Sequence, residues 1–289
     1  MTGNNVDNLV FISQTIGQDP AYVQGGGGNI SVKLDEARMA IKASGGLLKD
    51  MTAKEGYSIV DYVAIRNYLD TPTEDENLFT QKIKSFVVET DNRPSIETGF
   101  HAQLGLCVIH THSVYANILA CSDEGPAIIE KLFPEAMWIA YATPGRDITL
   151  SIRNSLKDFH VKPTIIFLQN HGLIVIGKTA QEVLESHKNI NAKIRNYLQI
   201  TLAIYADELP KMGLEFVKNN VLFPDQVVYL LAGKEILDTL AAKETLWAYN
   251  FILKTIKEKE LTPHFLPQDK ADILLGMESE KYRQKGLKK

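Results

Sequence analysis

Two apolar, β-branched runs, residues 164–169 and 173–176, are separated only by Asn170-His171-Gly172. So short a connection demands a hairpin or a sharp bend, and it puts His171 at that bend, followed by a glycine that lets backbone crowd close. A third run, residues 105–111, is a strong strand candidate and leads into His112, giving His110-Thr111-His112. Side chains two apart on a strand point to the same face, about 7 Å apart along it. Two imidazoles so placed can converge on one ion, and a third ligand must then come from elsewhere. His171 is the natural candidate.

The rest of the chain reads as alternating short elements. Residues 7–16 have helical spacing and meet Gly17, where a helix would end. Gly25 to Gly28 form an unbroken glycine run leading into Asn29-Ile30-Ser31-Val32, and residues 39–44 read as a short strand stopped by Gly45-Gly46. Residues 58–65 suggest another strand, and a surface loop over 71–77 precedes a helix over about 78–89. Pro94-Ser95 offers a helix start with Ser95 as cap and Glu97 in the first turn, and a further helix follows Ser113. Thr179 with Glu182 makes a capping-box pattern opening a helix that runs to about residue 205. After Pro224-Asp225 the chain reads as helical, broken near 261–267. With no low-complexity linker and no internal repeat, one α/β domain over 1–289 is expected, with a core of about 20–205 and a helical extension of about 225–289.

Composition narrows the function. An apolar share of 45% with 23% charged residues is the balance of a globular protein. A net charge of −4 offers no excess of cations for displacing phosphate counterions, so no nucleic-acid partner is expected. The basic end, residues 281–289, reads as a solvated last helical turn. Two cysteines, Cys107 and Cys121, without repeating spacing point to small core residues and a reducing cytoplasm. No apolar run approaches 18 residues and no basic leader precedes one, so neither membrane insertion nor export is expected.

Three nitrogen ligands with an open position make a Lewis-acid site able to polarise a carbonyl. An H-x-H pair by itself is equally at home on an exposed strand. His101, His160, His187 and His264 lack a comparable partner and are expected in core or surface roles, although His101 shares a helix face with Glu97 four residues earlier. Glu97 is the carboxylate best placed before the histidine strand to move a proton beside a cation. Its other reading is a residue that complements a helix dipole. Gly25 to Ser31 and Ser44 to Gly46 form a candidate anion cradle, in which glycines expose backbone N–H groups and Asn29, Ser31 and Ser44 add donors. Neither piece fits a dinucleotide loop or a P-loop.

Taken in order, Gly28-Asn29-Ile30-Ser31, Ser44-Gly45, Pro94-Ser95-Ile96-Glu97, His110-Thr111-His112 and Asn170-His171-Gly172 resemble the class II aldolase and adducin family over about residues 20–205. The tail, with residues 222–225 and 277–282, is similar to the aldolase half of bacterial aldolase and short-chain dehydrogenase fusions; no nicotinamide site is expected. The resemblance implies a three-layer α/β/α fold with a central, mainly antiparallel sheet, and a cytoplasmic homotetramer with sites at subunit borders. It implies zinc or another divalent metal on His110, His112 and His171. It also implies a substrate phosphate held by Asn29, Ser44, Gly45 and Ser95, and Glu97 moving the proton at the carbon that becomes the enediolate. The implied reaction is reversible cleavage of a ketose 1-phosphate, a phosphorylated small sugar, to dihydroxyacetone phosphate and an aldehyde. Ile96 stands where family aldolases often have a second serine, and no tyrosine, Tyr141 included, is assigned as proton donor to the aldehyde oxygen. Sugar-phosphate dehydratases and epimerases of the family keep the three histidines, but the epimerases typically carry aspartate at the Glu97 position. Non-catalytic adducin-like members characteristically lose metal histidines, which all stand here.

Overall fold

The computed structural model describes residues 5–158, 162–204, 214–231 and 238–286. Its centre is a sheet of β1 (Asn29–Lys33), β2 (Arg38–Lys42), β3 (Tyr57–Asp61), β4 (Cys107–Thr111), β5 (Met137–Ile139), β6 (Ile165–Leu168) and β7 (Gly172–Gly177). In space the order is β3-β2-β1-β4-β7-β6-β5, antiparallel throughout except for the parallel edge pair β5 and β6. The helices are α1 (Asn5–Gly17), α2 (Tyr62–Tyr68), α3 (Glu76–Lys84), α4 (Thr98–Gln103), α5 (Val114–Ala120), α6 (Gly125–Leu132) and α7 (Arg146–Asp158). They continue with α8 (Ala180–Tyr197), α9 (Leu214–Asn219), α10 (Pro224–Gln226), α11 (Leu240–Glu258), α12 (Gln268–Gly276) and α13 (Glu278–Gly286).

Strand alternation divides the core between the two sheet faces. Ile30, Ile109, Leu173 and Val175 pack with Leu9 and Ile12 of α1, Ile118 of α5, Val183 of α8 and Ile252 of α11. On the opposite face Val108, Ile166 and Ile174 pack with Phe100 of α4 and Ile148 and Ile152 of α7. Met39, Ile41 and Val60 meet Ile65 of α2 and Phe79 of α3 there. The sheet therefore lies between two helical layers, as the resemblance implied. Among the described residues no helix is long and apolar enough to cross a membrane.

Several boundaries differ from the sequence reading for local reasons. The strand expected over 58–65 leaves the sheet at Asp61, whose side chain accepts from Ala64 N and starts α2. The helix expected over 78–89 runs from Glu76 to Lys84, capped by Asp75. The helix expected at Pro94-Ser95 begins only at Thr98, because Ser95 N donates to Lys42 O and Pro94 bridges Ala43, which keeps this stretch extended beside β2. The hairpin is present: Leu168 pairs with Gly172, and Asn170 takes a left-handed conformation at φ 53° to turn the chain. Helix α8 opens on Thr179, which accepts from Glu182 N, and is assigned to Tyr197; residue 205, where its end was expected, lies outside the described residues. The tail is helical on both sides of a break after Lys259. In the basic end, Arg283 is largely buried against Asp225 and Glu280 instead of solvated, because those two carboxylates need a cation; residues 287–289 lie outside the described residues, as does His160.

Candidate metal centre and active site

Strand β4 turns His110 toward the face that carries α4, while Thr111 faces α8 and hydrogen-bonds His187 Nε2 at 2.9 Å. His112 follows just past the strand end. The β4–β7 register sets His110 opposite Ile174, and the β6–β7 turn brings His171 beside it. Only glycine fits at position 172, since a Cβ there would lie 2.2 Å from the Thr111 carbonyl oxygen. His110, His112 and His171 are buried and each offers one ring nitrogen, all within 4.8 Å of one another.

The orientation of two rings is fixed from behind. His110 Nδ1 donates to Leu173 O at 3.2 Å and His112 Nδ1 to Asp225 Oδ2 at 2.7 Å, which leaves their Nε2 atoms, 3.2 Å apart, facing the shared centre. Burial pushes His110 down to about 4 and His171 down to about 3, so both rings are neutral at pH 7.

Glu97 caps α4 in position but makes no capping bond with its side chain. Its Oε2 lies 3.5 Å from His110 Nε2 and its Oε1 3.3 Å from His171 Nε2. Burial opposes its ionisation, yet His110, His171, the Asn29 amide and His112 outweigh burial and hold the carboxyl at about 2. Among the described residues Oε1 is buried without a hydrogen bond. Three imidazoles converging beside a carboxylate with a spare oxygen is the donor set that zinc or a similar divalent cation takes, so these residues fit such an ion.

Asn29, opposite His110 in the β1–β4 register, donates to Glu97 Oε2 at 2.6 Å and to Ser95 Oγ at 3.2 Å. Its Oδ1 meets His101 Nε2, whose Nδ1 is 2.7 Å from Ser31 Oγ. Ser31 is thus placed behind the site, covered by His101, and does not line the cleft. Asn29, Ser44, Gly45 and Ser95 do line it, together with Glu97, His112 and His171. Among the described residues Ser44 Oγ is buried with no hydrogen-bond partner, and Gly45 sits at φ 80°, a backbone conformation that favours glycine. Tyr141 is packed with the tail, its hydroxyl without a hydrogen-bond partner among the described residues. Cys107 and Cys121 are buried free thiols, and His264 pairs at the surface with Asp123.

Sequence reasoning passed over three cleft residues: Lys42, Asp225 and Arg283. Lys42 Nζ donates to Gly26 O at 3.1 Å, and burial lowers it to about 7. Its signal was parity, because it lies two residues before Ser44. Asp225 and Arg283 are far from the histidines in the chain, and spacing carries no hint of them.

The sequence pattern described as Class II Aldolase and Adducin N-terminal domain matches residues 9–196. An uncharacterized oxidoreductase of Bacillus subtilis, YuxG, is 26% identical over 204 residues, a stretch that is 67% of this chain and 29% of that protein. This chain thus spans about three tenths of the length of that curated relative. The N-terminal class II aldolase domain of a conserved protein from Thermoplasma acidophilum superposes with a TM-score of 0.62 at 24% identity, covering 68% of this chain and 95% of that one. YgbL from Klebsiella pneumoniae, a putative aldolase/epimerase/decarboxylase, superposes with a TM-score of 0.50 at 18% identity over 68% of this chain and 88% of its own. An L-fuculose 1-phosphate aldolase gives the same TM-score of 0.50 at 18% identity over 69% and 87%. At these identities the structural likenesses speak to the fold.

Proposed function

The chain belongs to the class II aldolase and adducin family, and from that membership we propose that it is a metal-dependent carbon–carbon lyase acting on a small phosphorylated sugar. One observation carries the reading: three buried imidazoles present nitrogens within 4.8 Å of one another, with the Glu97 carboxylate 3.3 Å and 3.5 Å from two of them. The reaction is the reversible cleavage of a ketose 1-phosphate to dihydroxyacetone phosphate and an aldehyde. His110, His112 and His171 would hold a divalent cation, zinc in this reading, which when bound would supply the positive charge that polarises a carbonyl and offsets developing negative charge. Asn29, Ser44, Gly45 and Ser95 bind the phosphate, and the unpartnered Ser44 hydroxyl supports that role. Glu97, ionised and steered by the Asn29 amide, moves the proton at the carbon next to the carbonyl. Asn29 then serves both ends, touching the base and the serine of the phosphate site.

The test is a panel of ketose 1-phosphates offered to the zinc-loaded, full-length protein, with aldehyde release as the signal. Release of dihydroxyacetone phosphate and an aldehyde from one of them is the expected result. Metal-loaded protein that cleaves none of the panel, and exchanges no proton of dihydroxyacetone phosphate with solvent, would remove the aldolase reading. The same reading makes the protein a homotetramer, and light scattering that finds a monomer would contradict that part.

A further inference from the structure

We propose that Asp225 and Arg283, both from the helical tail, form a positioning pair that fixes the His112 ring and so sets how tightly the three-histidine site holds its divalent cation. The inference rests on the metal-dependent reading above, and it assigns a role to residues beyond the matched stretch 9–196.

Asp225 is fully buried, and its two oxygens face opposite ways. Oδ2 lies 2.7 Å from His112 Nδ1, and Oδ1 accepts from Arg283 Nη2 at 2.8 Å. The guanidinium is itself anchored, donating to the Tyr229 hydroxyl and to Glu280, each at 2.9 Å. A buried carboxylate is costly unless a cation and hydrogen bonds compensate it, and Arg283 supplies both. Because an ionised carboxylate only accepts, His112 must present Nδ1–H to Asp225, which turns its Nε2 toward the shared centre. The three rings are therefore not equivalent. His110 leans on a main-chain carbonyl at 3.2 Å, and His171 Nδ1 has no hydrogen-bond partner among the described residues. His112 alone of the three is backed by a charge at Nδ1.

Gly27 is an independent observation pointing to the same pair. A Cβ at this position would lie 2.4 Å from Asp225 Oδ2 and 2.8 Å from His112 Nδ1. The glycine run, read from sequence as part of an anion cradle, thus keeps open the space in which carboxylate and imidazole meet.

The experiment measures zinc affinity of the full-length protein by chelator competition at neutral pH, with visible spectra of the cobalt-substituted protein alongside. Asp225→Asn is expected to weaken zinc binding by about 10–100-fold, because an amide cannot accept from both His112 and Arg283 and must turn an N–H toward one of them. The cobalt bands should shift with it, a change that loss of general stability would not produce. Asp225→Glu, which keeps the charge, should recover part of the affinity. Gly27→Ala, which leaves the carboxylate in place but crowds the pair, should weaken binding in the same direction, and it carries the test if Asp225→Asn fails to fold. Asp123→Asn, which removes an exposed carboxylate–imidazole pair elsewhere, should leave affinity unchanged. Wild-type affinity and an unshifted cobalt spectrum in Asp225→Asn or, failing its folding, in Gly27→Ala would overturn the proposal while leaving the metal reading intact. A wild-type protein that binds no divalent cation would overturn both.

Discussion

Lowering the pH from 7 to 5 should remove about 4 kcal/mol of folding stability through His101 and His187 alone. Both rings are buried, and burial holds each at about 3 against an ordinary 6.5. As pH falls through 6.5 the unfolded chain takes up a proton at each ring, whereas the native state does so only near 3. The stabilising contribution is therefore whole above pH 6.5 and is lost progressively as pH falls from there toward 3. For one ring the loss between pH 7 and 5 comes to about 2 kcal/mol, and the two rings together to a large share of the roughly 5–15 kcal/mol that holds a typical domain folded. His110 and His171, held at about 4 and about 3, act in the same sense. The assay is urea unfolding followed by circular dichroism across this pH range. His187→Gln keeps a polar group for the Thr111 hydroxyl and should lose about 2 kcal/mol less than the wild type between pH 7 and 5. Equal pH slopes for the two proteins would refute the argument that His187 is kept neutral by burial.

Other substitutions test the site and its support. His110→Ala should lose most of the bound zinc, read by elemental analysis of purified protein; full metal content would take His110 out of the ligand set. Glu97→Gln should keep the metal yet slow proton exchange on dihydroxyacetone phosphate by about 10²–10⁴-fold, read by NMR in deuterated water, and unchanged exchange would remove Glu97 from the chemistry. Gly99→Ala puts a Cβ 2.7 Å from Thr149 Cγ2 and should cost about 1–3 kcal/mol by denaturant unfolding while also displacing the neighbouring Glu97. A neutral result in both unfolding and exchange would show that α7 yields there.

The convergence of the three histidines was legible because its signals are local: parity along one strand for His110, and a three-residue turn for His171. The start of α4 was not, since the tie between Ser95 N and Lys42 O depends on a strand half a hundred residues earlier, and capping preferences do not encode it. Displacing that start is what frees the Glu97 side chain from the helix and aims it at the imidazoles. Ser31 was misplaced for a different reason. It shares a face with Asn29, but one further step along β1 puts it under His101, so strand alternation gives the correct side and the wrong depth. Asp225 and Arg283 show the general limit, for a buried ion pair closed across tail helices leaves no periodic trace in the chain.

The hairpin that carries His171 also sets where this chain can accept insertions. Three residues join Leu168 to Gly172, and Leu173 is locked opposite Thr111 on the neighbouring strand. An extra residue in that turn would either swing the imidazole out of reach or shift β7 against β4, exchanging the faces of every side chain beyond it. The loop before α3, by contrast, is held by Arg146 at Thr73 and by Arg153 at Asp70 but supplies no residue to the cluster, so lengthening it would not move the histidines. Length variation among natural versions of this domain should therefore collect at that distal loop, with the histidine turn constant in size.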